Sequence, residues 1–453
     1  MQSPHVLAIP YPAQGHVIPL LELMQCLARH GVKITFVNTE FNQERVANAL
    51  SRKDDIGDHI HLISIPDGLE AGDDRNDVLK LMETISQFMP GKLVELIEKI
   101  NESGDKITCI IADQVVGWAL EIAEKMHIRR AAFWPAAATL LGLSISIPKL
   151  LDDGIIDDNG TPRKNQMVQL SPTMPAISTA HFPWACFEGL TAQKKIYELA
   201  LRNNKAAEGL DWLVCNSIYE LEPAVFELFP SILPLGPLLA NNRLGNSGGY
   251  FWQEDSTCLE WLDQQEANSV IYIAFGSSTV LDQTQFQELA RGLEQTNRPF
   301  LWVVRPNITE ETDNAYPKGF KDRIATRGRM VCWAPQQKVL GHPSVACFLS
   351  HCGWNSTIEG ISNGIPFLCW PYFVDQFLNQ SYITDVWKVG LNLNQDESGI
   401  IKQAEIKEKV EQLLLDKGFK ARAMDLKQVA AKNVKEGGRS RTNLNNFIEW
   451  VKA

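Results

Sequence analysis

The sequence has no Cys-x-x-Cys pair, no run of basic residues and no Asp-x-Asp motif. Its nine cysteines are odd in number and too sparse for a disulfide scaffold, so we expect free buried thiols and a reducing, cytoplasmic location. Lys and Arg total 43 against 54 for Asp and Glu, a formal charge of −11, which argues against nucleic acid and anionic membrane surfaces as partners. The first residues lack a cationic leader, so no signal peptide is predicted.

Long hydrophobic runs are also scarce, and one segment is long enough to raise the question of a membrane span. Residues 131–147 carry no charge, but Pro135 interrupts them and Thr139, Ser144 and Ser146 recur along them. These interruptions disfavour a membrane span. We predict a buried strand followed by a core helix, and no integral membrane association.

The composition that remains is that of a globular protein. Of 453 residues, 45% are apolar and 21% charged, which is enough chain for two large domains. Short apolar runs alternate with helical patterns, as in the strand 5–10, the helix 19–30 and the strand 32–38, and the alternation restarts after the turn-rich stretch 241–249. This predicts an α/β protein with two Rossmann-like, doubly wound domains facing a cleft. The predicted boundaries are 1–240 for the first domain, 241–252 for a linker, 253–435 for the second domain, and 436–453 for a last helix that docks back on the first domain.

The most informative motif lies near residue 350. A strand, 346–350, leads through a His-Cys-Gly turn into a helix predicted to begin at Asn355 or Ser356, because both are good N-caps. A glycine turn and the free amides of a helix N-terminus form an anion site, and open α/β sheets bind ligands at this end of a strand. With His351, Asn355 and Ser356 as side-chain donors, the site suits a diphosphate.

The same residues also permit a purely structural interpretation. Ser356 and Glu359 have the spacing of a capping box. The usual phosphate-binding fingerprints are missing, since the chain has neither Gly-x-Gly-x-x-Gly nor Gly-x-x-x-x-Gly-Lys-Ser/Thr. An NAD-dependent oxidoreductase is therefore the weakest candidate.

Residues 333–376 closely resemble the 44-residue signature box of plant secondary-product glycosyltransferases, the family 1 UDP-sugar-dependent enzymes. The box begins Trp-Ala-Pro-Gln, has Ser-His-Cys-Gly-Trp-Asn-Ser at its centre and ends Val-Asp-Gln. The segment 5–16 and the surroundings of Asp113 resemble the same family, so the similarity spans nearly the whole chain. It implies a GT-B fold, with the acceptor bound by the first domain and a UDP-sugar co-substrate bound by the second.

The resemblance implies a role for each residue of a donor site. Trp333 would stack on the uracil, Ala334 and Gln336 would contact its edge and the ribose, and Glu359 would bind the ribose hydroxyls. The diphosphate would be bound by His351, Trp354, Asn355, Ser356 and Ser277. The sugar hydroxyls would be bound by Asp375 and Gln376. Gln376 resembles the glucose-using members, which favours UDP-glucose. Trp333 and Trp354 could equally be core residues.

His16 and Asp113 are the candidate catalytic residues. His16 follows the first strand and Asp113 follows the strand 108–112, so both can lie at the carboxyl edge of one parallel sheet. A helix N-terminus disfavours the imidazolium, so His16 stays available as a base, and an aspartate could bond its second ring nitrogen. By residue type alone, His16 could be a surface residue and Asp113 an N-cap. The resemblance matches both to the family's His/Asp dyad.

The predicted reaction is one displacement with inversion at the anomeric carbon. His16 takes the proton of the acceptor hydroxyl, Asp113 orients His16, and UDP leaves toward the helix N-terminus at Asn355 and Ser356. No metal site is predicted, because no cluster with metal-ligand spacing occurs, and no cofactor is needed besides the co-substrate.

An acceptor pocket is predicted from apolar and aromatic residues that could equally be core. It suits a phenolic, flavonoid or terpenoid. The predicted lining is Phe88, Met89, Leu140, Leu143, Phe182, Trp184, Phe187 and Phe373. One departure from the family lies at residues 134–138, where many relatives present a Thr or Ser hydroxyl toward the sugar; Thr139 or Thr279 would be the substitute.

Two alternatives stay open. The same base could activate a carbon or nitrogen atom, which would make the chain a C- or N-glycosyltransferase. The chain could also be a catalytically silent UDP-sugar-binding protein, although the presence of His16 and Asp113 disfavours this. A monomer is expected.

Overall fold

A computed structural model describes residues 3–50, 59–239, 251–252, 254–309 and 315–453. The chain divides into two compact units, Met1–Phe251 with Lys432–Ala453, and Trp252–Ala431. Each unit contains one parallel β-sheet and the helices that connect its strands. Of the predicted linker 241–252, residues 241–250 lie outside the described residues.

The first unit contains a seven-stranded parallel sheet. The strands of this unit are β1 His5–Ile9, β2 Lys33–Thr39, β3 Ile60–Ile65, β4 Cys109–Asp113, β5 Arg129–Trp134, β6 Met167–Val168, β7 Ile177–Ser178, β8 Trp212–Cys215 and β9 Ile232–Pro234. The sheet order is β3-β2-β1-β4-β5-β8-β9, while β6 and β7 form a separate antiparallel pair. All five residues of β1 are buried, as expected for a strand covered on both faces.

Helices connect these strands in the predicted alternation. They are α1 Gln14–Ala28, α2 Glu40–Leu50, α3 Val78–Glu102, α4 Gly117–Lys125, α5 Ala138–Ile145, α6 Ile147–Asp152, α7 Leu190–Ala206 and α8 Pro223–Leu228. The uncharged segment 131–147 forms β5 and α5, which confirms its prediction as a strand and a core helix. Among the helices within the described ranges, none is both long and apolar enough to span a membrane.

The second unit contains a six-stranded parallel sheet. Its strands are β10 Val270–Ala274, β11 Phe300–Val303, β12 Gly328–Val331, β13 Val345–Ser350, β14 Phe367–Cys369 and β15 Gly390–Asn392, in the order β12-β11-β10-β13-β14-β15. Its helices are α9 Thr257–Leu262, α10 Gln283–Gln295, α11 Phe320–Arg323, α12 Gln336–Leu340, α13 Trp354–Asn363, α14 Gln376–Ser381 and α15 Gln403–Leu415. The doubly wound α/β class predicted from the sequence is confirmed in both sheets.

The last two helices, α16 Lys417–Asn433 and α17 Arg439–Lys452, lead the chain from the second unit back to the first. Helix α17 places Leu444, Phe447 and Ile448 in the hydrophobic core of the first unit, beside residues of β1 and β2. Each such side chain contributes about 1.5–3 kcal/mol when fully buried. The apolar face read from the sequence is therefore a packing face.

Three local predictions are wrong. Helix α1 begins at Gln14 rather than at Pro19, which lies inside the helix and cannot donate to the carbonyl of Gly15. Helix α13 begins at Trp354 with Gly353 as its N-cap, without a side-chain cap. The stretch 152–190 is not only a surface excursion, since it contains a short strand pair and the buried Trp184.

Candidate active site

The first candidate site lies where the strand order of the first sheet reverses, between β1 and β4. These strands pair in parallel, with Ile9 opposite Ala112, so the residues that follow them lie at one edge of the sheet. His16 and Asp113 meet there: His16 Nδ1 lies 2.6 Å from Asp113 Oδ2. The structure thus brings together two residues that are 97 positions apart in the chain.

The His16 side chain extends from the first turn of α1, because this helix starts earlier than predicted. The backbone amide of His16 donates to the carbonyl of Ala13 at 2.9 Å. The imidazole is 27% exposed and packs edge-on against the ring of Tyr11, with 5.1 Å between centroids. A ligand can therefore reach the ring, while its position is fixed by the aspartate and the tyrosine.

Asp113 has no exposed side-chain surface. Its second oxygen, Oδ1, accepts a hydrogen bond from the amide of Val115 at 3.0 Å. Asp113 therefore caps the following turn and also contacts His16. The interpretation of Asp113 as an N-cap and its interpretation as the partner of His16 are thus compatible. Burial, followed by the charges of Asp113 and Asp77, raises the pKa of the Tyr11 phenol, which stays protonated at neutral pH.

The second candidate site lies at the corresponding reversal of the second sheet, between β10 and β13. The turn after β13 holds Cys352 in a left-handed conformation, with φ of 64°, which costs a non-glycine residue on the order of 1 kcal/mol. Ser350 Oγ accepts the Cys352 amide at 3.0 Å. Helix α13 follows directly, and a helix of this kind leaves the amides of its first turn without intrahelical acceptors. The amides of Trp354, Asn355 and Ser356 lie in this first turn, where the anion site is predicted.

The imidazole of His351 is held between two glycines. A Cβ atom placed on Gly276 would lie 2.6 Å from His351 Nε2, and one placed on Gly353 would lie 2.5 Å away. Burial lowers the pKa of His351 to about 4, and the charge of Arg305 contributes in the same direction. A hydrogen bond from the ring to the backbone of Ala274 acts in the opposite direction but is the weaker effect, so His351 is neutral at pH 7 and supplies no positive charge.

Glu359 is anchored by side-chain amides rather than by a capping box. Gln336 Nε2 donates to Glu359 Oε2 at 2.6 Å and to Ser356 Oγ at 2.8 Å, and its own Oε1 accepts from Tyr272 at 3.0 Å. The capping-box interpretation is wrong, because Ser356 is the third residue of α13 and Glu359 the sixth. Three predicted donor-site residues, Gln336, Ser356 and Glu359, form one network.

The predicted tryptophans are mostly buried. Trp333 is 7% exposed and stacks on Trp252, with ring centroids 6.0 Å apart and planes at 19°. Trp354 is 3% exposed and lies 6.4 Å from the ring of Trp387. Ala334, next to Trp333, is also buried. Sequence reasoning missed Trp252, whose signal was only its isolated position beside the turn-rich stretch.

The end of the box forms a loop with a second strained residue, Val374, whose φ is 49°. Gln376 Oε1 accepts the amides of Tyr372 at 2.7 Å and Phe373 at 2.9 Å, so this oxygen closes the loop. Asp375 Oδ2 accepts from Asn379 Nδ2 at 2.8 Å. The same Asn379 amide donates to the carbonyl of Cys352 at 2.8 Å. Asn379 therefore connects Asp375, which is predicted to bind the sugar, with the turn that is predicted to bind the diphosphate.

Asn379 and the turn after β10 complete the second site. Asn379 is fully buried, and the sequence analysis missed it because it lies three residues beyond the box. Ser277 follows Gly276, whose φ of 67° requires a glycine, and its Oγ lies 3.4 Å from that of Ser278. Within the described ranges, no three His, Cys, Asp or Glu side chains converge as a metal cluster.

The predicted acceptor pocket is only partly supported by the burial of its residues. Phe182 and Trp184 pack against each other and Tyr197 with at most 1% exposure, and Met89 and Leu143 have at most 2%. These four side chains have almost no accessible surface in the structure, and their assignment to a pocket wall stays a prediction. Four candidates keep some accessible surface: Phe88 at 55%, Leu140 at 5%, and the partly buried Phe187 and Phe373.

Neither threonine offered as a substitute sugar contact presents its side chain at the surface. Thr139 is 3% exposed, and its amide donates to Glu222 Oε1 at 2.8 Å. Glu222, which is also buried, accepts the amide of Ala138 as well. Helix α5 is therefore capped by a side chain that lies 84 positions later in the chain. Thr279 is 2% exposed. Both suggestions stay predictions.

The sequence of this chain is similar to those of known proteins. Residues 220–435 match the family described as UDP-glucoronosyl and UDP-glucosyl transferase. UDP-glycosyltransferase 83A1 of Arabidopsis thaliana is 48% identical to this chain, over 100% of this chain and 98% of that protein.

Two solved structures are similar over the whole chain. Os79 from O. sativa in complex with UDP has a TM-score of 0.81 and 27% identity, covering 98% of this chain and 100% of that one. A UDP-glucosyltransferase from Polygonum tinctorium capable of glucosylating indoxyl, in complex with 3,4-dichloroaniline, has a TM-score of 0.84 and 27% identity, covering 100% of both chains.

Proposed function

The chain belongs to the UDP-glycosyltransferase family, and from this premise we propose the reaction that it catalyses. It has the GT-B fold and is an enzyme that transfers a glycosyl group from a UDP-sugar. We propose that glucose passes from UDP-glucose to a hydroxyl group of a small hydrophobic acceptor, with inversion at the anomeric carbon and without a metal ion or cofactor.

The observation that carries this proposal is the 2.6 Å contact between His16 Nδ1 and Asp113 Oδ2. A carboxylate accepts a hydrogen bond, so it favours the tautomer that carries the proton on Nδ1 and leaves the lone pair on Nε2. Nε2 then takes the hydroxyl proton of the acceptor. Asp113 stabilises the imidazolium that forms, without itself being protonated.

The remaining bonds change in one displacement. The acceptor oxygen bonds to the anomeric carbon as the bond from that carbon to the diphosphate oxygen breaks, and the electron pair leaves with UDP. The backbone amides at the start of α13, the positive end of the helix dipole, would stabilise the charge on the departing diphosphate. Glu359, fixed by Gln336, is suited to the ribose hydroxyls.

The assignments for the sugar and uracil rest on weaker contacts. Gln376 uses its oxygen within the loop, which leaves its NH₂ group as the proposed donor to the sugar, beside Asp375. Trp333 is proposed to stack on the uracil with the surface that Trp252 does not cover. A phenolic, flavonoid or terpenoid remains the proposed acceptor class, and the similarity to a protein that glucosylates indoxyl favours an aromatic hydroxyl. All nine cysteines are free, which suits the proposed cytoplasmic location, but the prediction that they are buried fails for the exposed Cys332 and the partly buried Cys186.

The test is a transfer assay with a matched histidine control. The full chain is incubated with UDP-glucose and a panel of phenolics and terpenoids, and products are read by mass spectrometry. We expect a gain of one hexose for the wild type and for His30→Ala, because His30 is exposed. We expect it to be lost for His16→Ala, with unchanged UDP affinity.

Three other outcomes would contradict parts of the proposal. Transfer by His16→Ala at the wild-type rate would remove the base from the mechanism. UDP binding by the wild type without transfer or donor hydrolysis would favour the silent binding protein. Resistance of the product to acid would indicate a C-linked sugar rather than an O-linked one.

A further inference from the structure

A buried arginine lies at the same edge of the second sheet as the anion site. Arg305 follows β11 by two residues and is 1% exposed. Strand β10 pairs with β11 on one side and with β13 on the other. The carboxyl ends of three neighbouring strands therefore carry Arg305, the turn with Ser277, and His351.

The hydrogen bonds of Arg305 go to uncharged groups. Its Nη1 donates to Asn307 Oδ1 at 2.9 Å, and its Nη2 donates to the carbonyl of Thr279. In the part of the chain that the structure describes, no carboxylate forms an ion pair with Arg305. Burial lowers the pKa of Arg305 to about 10, so the guanidinium is still charged at neutral pH.

A buried charge without a counter-charge is costly, by several kcal/mol in proteins. Here the charge also reaches the anion site, because Arg305 contributes to the lowered pKa of His351. His351 itself supplies no positive charge at pH 7. Arg305, in contrast, carries a full positive charge at the same sheet edge.

We infer that Arg305 is the cation that balances the donor diphosphate and the departing UDP. The inference rests on the proposed position of the diphosphate at the start of α13. Arg305 is too buried to contact the ligand, so it acts through its field and through the carbonyl of Thr279, which orders the turn that carries Ser277. The donor would supply a counter-charge where the described part of the chain holds no carboxylate partner for Arg305.

A series of ligands with different charge separates this role from a structural one. Dissociation constants of UDP, UMP and uridine are measured on the full chain for the wild type and for Arg305→Gln. We expect UDP affinity to fall about tenfold to thirtyfold, which is the interaction of two unit charges about 8–12 Å apart at an effective dielectric of about 20. UMP affinity should fall less, and uridine affinity should stay within about twofold, which also shows that the variant is folded.

Two further variants make the test decisive. Arg305→Lys keeps a cation. Its ratio of UDP affinity to uridine affinity should lie between the ratio of Arg305→Gln and that of the wild type. Arg291→Gln removes an arginine of α10 whose side chain is 42% exposed, and should leave all three affinities unchanged. Equal losses for all three ligands, or a lysine variant with the same ratio as the glutamine variant, would overturn the inference.

The position of the diphosphate is tested separately with Asn355→Ala. A loss of UDP affinity in this variant supports the proposed position, and Arg305 is then judged by its own series. If Asn355→Ala binds UDP like the wild type, the position is wrong and the inference about Arg305 falls with it.

Discussion

The two sheets reverse their strand order at corresponding points, and the residues at the two reversals differ in chemistry. In the first unit the reversal lies between β1 and β4 and carries His16 and Asp113. In the second it lies between β10 and β13 and carries a glycine turn, His351 and the start of α13. Open α/β sheets form a crevice at such reversals. Topology thus fixes where a ligand can bind, and loop residues decide what happens to it.

Charge is the main difference between the two reversals. The first holds a fully buried carboxylate against a partly exposed imidazole, an arrangement that moves a proton. The second holds backbone amides and an imidazole whose pKa is about 4, with a buried guanidinium nearby, an arrangement that receives an anion. Variants at one reversal should therefore change turnover, and variants at the other should change donor affinity.

Asp113→Asn should show the largest effect and change turnover alone. Asparagine can donate to His16 Nδ1 and select the wrong tautomer, so we expect kcat to fall by about 10²–10⁴. UDP affinity, measured by calorimetry, should be unchanged, because Asp113 belongs to the first unit. Asp153→Asn, which alters an exposed ion pair, is the control. A lowered UDP affinity for Asp113→Asn would contradict the division of roles.

His351 should make stability sensitive to acid. Its folded-state pKa of about 4 lies below the ordinary 6.5, so the unfolded chain binds the proton more readily. The free energy of unfolding should fall as the pH drops from about 6.5 toward 4, by up to about 3 kcal/mol, with no change above pH 7. Denaturant unfolding at pH 7 and pH 5 should show a weaker dependence for His351→Asn. Identical dependence in both proteins would contradict the lowered pKa.

Gly353→Ala should weaken the donor site through sterics alone. The φ of Gly353 is −59°, which alanine adopts readily, but the new Cβ would lie 2.5 Å from His351 Nε2. Overpacking of this kind costs about 1–3 kcal/mol, and we expect UDP affinity to fall about tenfold. Gly91→Ala, where a Cβ meets nothing within 4 Å, is the control. Unchanged affinity would mean that the imidazole has room to move.

Glu359→Gln should have the smallest effect of the four. A hydrogen bond to a charged group is worth about 1.5 kcal/mol or more, so UDP affinity should fall about tenfold at most while kcat at saturating donor stays within about twofold. Glu294→Gln, which breaks an ion pair with Arg323 away from the site, should change neither. A fall in kcat at unchanged UDP affinity would instead indicate that Glu359 acts in the chemical step.

The sequence predicted the two sheets better than it predicted the boundaries and contacts of their helices. The apolar runs that became β1, β4, β10 and β13 are continuous because both faces are covered, and such runs are visible without a structure. The start of α13 was misplaced because Asn355 and Ser356 are good N-caps by residue type. The chain instead uses Gly353, which the packing of His351 requires.

Burial differs widely among the predicted acceptor residues, because residue type does not distinguish a pocket wall from a core. Phe182 and Trp184 are as apolar as Phe88, yet the first two are fully packed and Phe88 is 55% exposed. Asn379 and Trp252 gave no usable signal, since their roles depend on contacts with Cys352 and Trp333. Such roles appear only when distant segments are brought together.

The amino-acid order by itself determined the alternation of strands and helices, the two parallel sheets and the segment that holds the donor-site residues. These follow from periodicity and turn chemistry, which act over a few neighbouring residues. The tertiary structure decided that Asp113 meets His16, that Thr139 is buried, and that Arg305 lacks a carboxylate partner within the described ranges. Burial, pKa and hydrogen-bond partners depend on which elements pack together, and local sequence does not contain that information.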